Sequence, residues 1–117
     1  MTDTLEGLIG ETLVFGIPGP EATPEDIHLF RSTHARGLIL YRTNFRSPAQ
    51  IRRLIRTMED TLERRLLVTT DHEGGRVVMF RSGVTVFPDN LAFGTVGKVH
   101  TTRAQGEIEG RELRRLG

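Results

Sequence analysis

Residues 66–80 read LLVTTDHEGGRVVMF and join a strand-like segment to an unusual turn. Residues 66–70 are apolar or Thr and are followed by turn residues, a pattern that is typical of a buried strand. The turn 71–76 then holds two acids, a histidine and an arginine, which is more charge than a plain connection needs. In parallel α/β folds, ligands bind at the carboxyl ends of the strands. We therefore expect Asp71, the first residue after this strand, to contact a ligand.

Two further strand-like segments precede this one, and helix-like segments separate all three. Residues 12–17 and 38–41 are short apolar runs, and the first of them leads into the loop sequence GIPGP. Alternation of strands and helices predicts parallel strands joined by crossover helices. Because the runs are continuously apolar, we also expect a sheet that is covered on both faces. The predicted fold class is therefore α/β.

Capping residues mark the starts of the two connecting helices. Thr23 is a typical N-cap with Pro24 at the first helical position, and Gly37 is expected to end that helix. Ser47 and Gln50 form the pattern of a capping box at the start of the second helix. The apolar residues of the second helix form one stripe at helical spacing, and they are Ile51, Leu54, Ile55, Met58 and Leu62.

After residue 80 the chain is predicted to be irregular before a last helix. We expect residues 84–87 to be extended and residues 90–94 to form a loop. From residue 99 to 116 the pattern is helical, and Gly106 and Gly110 either weaken this helix or allow close packing against a neighbour. The positions that are expected to face inward are Ala104, Ile108 and Leu116.

The composition narrows the class of protein. The chain has 117 residues without a visible repeat or linker, so we expect one unit with no internal domain boundary. Lys and Arg number 16 and Asp and Glu number 15, a balance that gives no argument for a nucleic-acid or membrane partner. The absence of cysteine excludes disulfides and thiol chemistry. With neither a signal-peptide pattern nor a long apolar run, the sequence favours a soluble, cytoplasmic protein.

Four short motifs follow one another in a fixed order. Residues 37–50 contain GLILY, then Asn44, then SPAQ; residues 71–77 read DHEGGRV; residues 87–94 contain FP and AFG; and residues 110–117 read GRELRRLG. Together they resemble the G-[VI]-I-L-F…N…S-x-x-Q, D-x-E-G-G-R-V, F-P…A-x-G and G-x-E-L-x-x-L-G motifs of glycoside hydrolase family 3. The resemblance is to the β-N-acetylhexosaminidase branch, which recycles bacterial cell-wall sugars, and it covers nearly the whole chain.

The resemblance implies both a fold and an activity. The fold would be a partial (β/α)8 barrel of the TIM type, with residues 1–117 forming the N-terminal part of the catalytic barrel and roughly its first three β/α units. The activity would be hydrolysis of O-glycosyl bonds, releasing terminal β-linked N-acetylglucosamine with retention of configuration. Since such a barrel typically takes roughly 250 residues, the chain is expected to be incomplete.

The catalytic groups of the family are not expected in this chain. In the family the nucleophile is an aspartate late in the barrel, and the acid/base of this branch is a histidine after the motif K-H-F-P-G-H-G. Asp71 and Glu73 would reach a sugar from the same side, whereas retaining hydrolysis needs two groups that flank the bond. The chain alone is therefore expected to be inactive. None of the histidines of this chain lies after such a motif; they are His28, His34, His72 and His100.

Sugar binding is the role that the resemblance assigns to the turn after the third strand. Asp71 occupies the position of an aspartate that accepts hydrogen bonds from hydroxyls of the terminal sugar. A carboxylate suits this role because it can accept two donors at once. Arg76 is a second candidate for substrate contact, with a structural pairing to Glu73 as the alternative. Glu73, Gly74 and Gly75 are expected to shape the turn, the glycines by supplying positive φ or a close backbone approach.

The other residues of this region are not expected to form a defined binding site. Relatives often have an arginine that helps to hold the substrate where this chain has Met79, and Arg81 lies two residues further on. We expect His72 to be an exposed loop histidine. No metal site is expected from Asp71, His72 and Glu73, because adjacent residues cannot all turn toward one ion. No cofactor is implied.

Two other interpretations stay open from the sequence. The chain is alternatively a non-catalytic carbohydrate-binding or assembly module that is completed by another chain or by self-association. It is also conceivable as an unrelated α/β domain, an interpretation that the ordered motifs disfavour. Three strands of a barrel leave two open edges, so the isolated chain is expected to be oligomeric or poorly soluble. The expected partner is a carbohydrate that contains N-acetylglucosamine.

Overall fold

A three-stranded parallel sheet lies at the centre of the fold, as seen in a computed structural model that describes residues 4–117. The strand order is β1-β2-β3, and both neighbouring pairs are parallel. The predicted α/β class with parallel strands is therefore confirmed. The elements in chain order are α1 (Leu5–Gly10), β1 (Val14–Gly16), α2 (Pro24–Thr33), β2 (Gly37–Leu40), α3 (Pro48–Leu62), β3 (Leu67–Thr70), α4 (Asn90–Val96) and α5 (Val99–Arg114), with a 3-10 turn at Arg42–Asn44.

The core forms where α2 and α3 pack on the sheet. Phe30 of α2 and Leu38 of β2 are fully buried, and Phe80 joins them from the segment after β3. The predicted apolar stripe of α3 faces this core, with Leu62 only partly buried at its end. Helical spacing identified the stripe because α3 has one buried face and an otherwise polar surface.

The predicted starts of both helices are confirmed, and one predicted end is wrong. Thr23 Oγ1 accepts from the backbone N–H of Asp26 at 3.2 Å, while the Asp26 carboxylate accepts from the Thr23 N–H at 2.9 Å. Helix α2 ends at Thr33, and His34 takes the left-handed conformation at φ 57°. Gly37 instead begins β2, where a Cβ would lie 2.5 Å from the Val14 side chain. That glycine is needed for close strand approach rather than for a helix end.

The start of α3 differs in one hydrogen bond from the predicted capping box. Ser47 Oγ accepts from the N–H of Gln50 at 3.1 Å, as expected of an N-cap. Gln50 Oε1, however, accepts from the N–H of Arg46 at 2.8 Å and not from that of Ser47. The amide of Gln50 is thereby free to donate toward the neighbouring loops.

The strands differ in how much of their surface is covered. The central strand β2 is mostly buried, but Val14 of β1 and Leu67 of β3 are exposed. The expectation of a sheet covered on both faces therefore holds only for β2. Within residues 4–117, β1 and β3 are edge strands that pair on one side only.

The C-terminal region departs most from the expectations. Residues 90–94 belong to helix α4 and not to a loop, because Asp89 caps this helix by accepting from the N–H of Ala92 at 2.9 Å. In α5, Ala104 and Ile108 are exposed instead of inward-facing, whereas Leu116 beyond the helix is buried. A Cβ built on either glycine of α5, Gly106 or Gly110, meets no atom of the described chain within 4 Å apart from the neighbouring residues of α5 itself. Close packing is therefore not the role of these glycines here.

Over the residues described, the helices are too short or too polar to cross a membrane.

Candidate functional site

Asp71 lies at the carboxyl edge of the sheet, directly after β3, and its side chain is exposed. The end of β3 is fixed to β2 because Thr70 Oγ1 donates to the Leu40 carbonyl at 3.0 Å. The three strands are parallel, so the loops that follow them all leave from this same edge. The carboxylate of Asp71 is therefore presented to solvent at the edge where parallel sheets bind ligands.

The turn after Asp71 is tight and internally hydrogen-bonded. The N–H groups of Glu73 and Gly74 both donate to the Val77 carbonyl, at 2.9 and 3.1 Å, and the Val77 N–H donates back to the Gly74 carbonyl at 3.0 Å. Gly74 and Gly75 adopt φ values of 85° and 54°. These values are uncommon for residues with a Cβ, which explains two glycines in succession.

This turn also packs closely on the segment before α4. The N–H of Gly75 donates to the Phe87 carbonyl at 2.9 Å. A Cβ on Gly74 would lie 2.5 Å from the carbonyl oxygens of Phe87 and Pro88. The glycines thus bring the turn into backbone contact with residues 87–88, which belong to another motif singled out in the sequence.

Arg42, which the sequence reasoning passed over, holds the far side of the turn. Its Nε donates to the Val78 carbonyl at 2.6 Å, and its Nη2 donates to the Arg76 carbonyl at 2.7 Å. Arg42 begins the 3-10 turn after β2, so it reaches from one strand end to the next. In the sequence, the only indication of this role was the position of Arg42 directly after an apolar strand segment.

Asn44 and Gln50 tie the remaining strand-end loops together. Asn44 Nδ2 donates to the carbonyls of Ile17 and Gly19, each at 2.8 Å, and its Oδ1 accepts from the backbone N–H of Tyr41 at 2.7 Å. Gln50 Nε2 donates to the carbonyls of Pro20 and Asn44, at 2.6 and 3.0 Å. Together with Arg42, these side chains link the loops after all three strands, which makes the edge beside Asp71 well ordered.

His72 is buried, so the expectation of an exposed loop histidine is wrong. Only 7% of its surface is accessible, and its ring stacks on Phe80 with 5.8 Å between centroids. Its Nδ1 accepts from the backbone N–H groups of Met79 and Phe80, at 3.3 and 3.5 Å. Because the glycine turn folds the chain back on itself, the histidine meets the apolar residues that follow the turn.

Glu73 and Arg76 both lie exposed on the turn. The salt bridges found within residues 4–117 are Arg36–Glu11 and Arg65–Glu59, so the structural pairing of Glu73 with Arg76 is not observed. Met79 is half-buried against the core and Arg81 is exposed. No cluster of three potential metal-ligating side chains occurs in this described part of the chain.

Comparison with known proteins identifies the family. Residues 10–117 match the family model of the glycosyl hydrolase family 3 N terminal domain. A beta-hexosaminidase from Methylobacillus flagellatus is 37% identical over 111 residues, which cover 90% of this chain and 32% of that protein. A beta-hexosaminidase from Haemophilus influenzae is 40% identical over 82 residues, covering 70% and 23%.

Solved structures agree with the sequence comparison. A glycoside hydrolase family 3 beta-N-acetylglucosaminidase from Paenibacillus sp. str. FPU-7 superposes with a TM-score of 0.89 at 33% identity, covering 98% of this chain and 23% of that chain. NagZ from Neisseria gonorrhoeae, solved in complex with N-trifluoroacetyl-D-glucosamine, gives a TM-score of 0.73 at 27% identity, covering 87% and 33%. The chain thus spans at most about a third of the length of these relatives. By the match over residues 10–117, it belongs to glycoside hydrolase family 3 and corresponds to part of the N-terminal domain of that family.

Proposed function

We propose that this chain supplies part of the sugar-binding site of a family 3 glycoside hydrolase, with Asp71 holding a terminal β-linked N-acetylglucosamine residue. The main support is the exposed carboxylate of Asp71 at the carboxyl edge of the sheet, on a turn fixed by hydrogen bonds from both sides. Two hydroxyls of one sugar can donate to such a carboxylate. The names of the relatives, beta-hexosaminidase and beta-N-acetylglucosaminidase, support the choice of sugar. Arg76, exposed on the same turn, is a second contact in this proposal.

Within residues 4–117, the two acids of this turn do not meet the geometric requirement of hydrolysis. A retaining glycosidase uses a nucleophilic carboxylate and a separate acid/base on opposite sides of the scissile bond. Asp71 and Glu73 are both exposed on one short turn, with only the buried His72 between them. The chain therefore binds sugar without cleaving it, and cleavage belongs to the larger enzyme, in which it would contribute to recycling of cell-wall sugars.

The same proposal places the three strands in a TIM-type barrel. Among the described residues, β1 and β3 each pair only with β2, so both outer edges are open. A groove of about 410 Å3 lies beside β3. A fourth parallel strand beside β3 would cover it, as a barrel requires. The groove is lined mainly by apolar side chains, among them Leu40, Ile51, Ile55, Val68, Phe80, Leu113 and Leu116.

The open edges also support a second candidate, a non-catalytic carbohydrate-binding module that self-associates or is completed by another chain. An unpaired strand edge is a template for pairing with another strand. In that case sugar binding would increase together with assembly. Under the first proposal, the monomer binds sugar by itself.

Two assays on the purified chain test the proposal. With a chromogenic β-N-acetylglucosaminide we expect no turnover, and turnover that disappears in Asp71→Ala would contradict the assignment of catalysis to groups outside this chain. In a titration with N-acetylglucosamine followed by NMR, we expect saturable binding. The same titration at several protein concentrations, with sedimentation measured in parallel, separates binding by the monomer from binding by an assembly.

A further inference from the structure

The ring of His72 has one nitrogen that is hydrogen-bonded and one that is not. Nδ1 accepts from the backbone N–H groups of Met79 and Phe80, and a ring nitrogen that accepts carries no proton. The ring hydrogen is therefore on Nε2. Nε2 is buried and has no hydrogen-bond partner in the part of the chain that the structure describes.

Glu109 on helix α5 presents the complementary group. Its Oε1 is also buried without a partner among residues 4–117. Burial raises the pKa of the Glu109 carboxyl, the nearby His72 opposes this shift, and Glu112 adds to it. Leu113, one turn further along α5 on the same face as Glu109, lines the same groove as Phe80, on which the His72 ring stacks. This face of α5 is therefore turned toward His72, and each of the two buried groups is costly to leave unpaired.

We propose that one water accepts from the Nε2–H of His72 and donates to the carboxylate of Glu109, and that this bridged pair positions Asp71. The pair would join the turn after β3 to α5, two parts of the chain that are far apart in sequence. Asp71 immediately precedes His72, so fixing the imidazole also fixes the peptide that orients the Asp71 carboxylate. The positioning role rests on the proposed sugar binding, whereas the pair itself does not.

The pair is tested by NMR of the imidazole nitrogens in the 117-residue chain. In the unmodified chain we expect His72 as the Nε2–H tautomer, and an Nδ1–H tautomer would overturn the proposal. Glu109→Gln is expected to shift the Nε2 resonance of His72. Glu107→Gln, a change of an exposed acid on the same helix, should leave that resonance in place. Equal responses of the two variants would also refute the pair, and the tautomer measurement needs no variant to fold.

The positioning role is tested by titrating N-acetylglucosamine into the same three proteins. Replacement of the charged acceptor behind Asp71 by a neutral amide should weaken binding in Glu109→Gln by roughly three- to tenfold, with Glu107→Gln unchanged. Equal affinities of the unmodified chain and Glu109→Gln would refute the positioning role. If the unmodified chain binds no sugar, the proposed function fails instead, and the imidazole signals alone decide whether the pair exists.

Discussion

Asn44 shows how a single polar residue orders the loops at the carboxyl ends of the strands. Its side chain has no accessible surface, and its amide bonds to the backbone of residues 17, 19 and 41. A buried amide with all these partners fixes the loop after β1 to the loop after β2. Loops that are held in this way form a stable base for the exposed Asp71.

Asn44→Ala is expected to lower the free energy of unfolding by about 2–3 kcal/mol, because it leaves buried backbone groups without partners. Urea denaturation of the chain measures the effect. Thr43→Ala changes an exposed neighbour in the same turn and serves as the control. If the two variants unfold at the same urea concentration, the hydrogen bonds of Asn44 do not stabilise the loops at the strand ends.

Two glycines allow a matched comparison. Gly74→Ala should destabilise the chain by about 1–3 kcal/mol, since φ is 85° and a Cβ would meet the Phe87 carbonyl. Gly106→Ala should instead stabilise it by about 0.5–1 kcal/mol, because this position lies inside α5 with open space around it. Thermal unfolding followed by circular dichroism measures both changes. Shifts of the same sign would contradict the different roles of the two glycines.

For individual residues, the sequence was enough to identify residue types but not their surroundings. The position of Asp71 after an apolar run was enough to place it at a strand end. The burial of His72 could not be predicted, because it depends on the return of Met79 and Phe80 after the turn. Arg42 was missed for the same reason, since its acceptors lie more than thirty residues away in the chain.

Among the helices, α5 is attached to the segment before α4 through Glu112. The backbone N–H of Thr85 donates to the Glu112 carboxylate at 2.6 Å, and the Thr85 hydroxyl donates at 3.0 Å. The backbone hydrogen bond is the largest cause that lowers the pKa of Glu112, with contributions from the hydroxyl and from Arg115 and Arg111. The ionised carboxylate is thus the form that holds the two segments together.

This attachment is expected to depend on pH. Because the pKa of Glu112 is lowered in the folded chain, the stabilising effect is fully present above the ordinary glutamate range and is lost as the pH falls through the lowered value. The amide resonance of Thr85 should therefore titrate below the usual range of a glutamate. In Glu112→Gln the titration should be absent, and Glu107→Gln should retain it. A Thr85 resonance that titrates in Glu112→Gln would show that another group controls this contact.

The elements that were predicted well are those with strong local signals. Helix α3 has both a capping residue and a complete apolar stripe, and its bounds follow from these features. Helix α4 was missed because its sequence contains Gly94 and little helical periodicity. Its start depends on the Asp89 cap, which the sequence reasoning did not consider. The inward face of α5 was predicted incorrectly, since most of this helix lies exposed over the described chain.

At the scale of the whole molecule, the open strand edges should control association. Leu67 on β3 is 58% exposed beside an edge without a partner strand in residues 4–117. Leu67→Lys should reduce self-association, because a lysine on an edge strand opposes pairing with another strand. Sedimentation at several protein concentrations measures this. Leu91→Lys, at an exposed leucine on α4, is the control, and an equal reduction in both variants would place the contact elsewhere.

The parallel α/β arrangement was predictable because strand and helix signals alternate along the chain. The connections between the strand-end loops were not, since they join side chains to distant backbone groups. What lies beyond the edges of β1 and β3 is not encoded in the local pattern of these residues. The barrel therefore remains a proposal that rests on the family and on the open edges.

Binding of the terminal sugar by Asp71 underlies the proposed function. Titration of the 15N-labelled chain with N-acetylglucosamine, followed residue by residue, tests it most directly. We predict that the largest shifts occur in residues 71–77, and that Asp71→Asn weakens binding by roughly tenfold or more because a charged acceptor is lost. Asp60→Asn, at an exposed acid on α3, should bind as the unmodified chain does. Saturable binding with shifts away from residues 71–77, or equal affinity of Asp71→Asn and the unmodified chain, would contradict the claim.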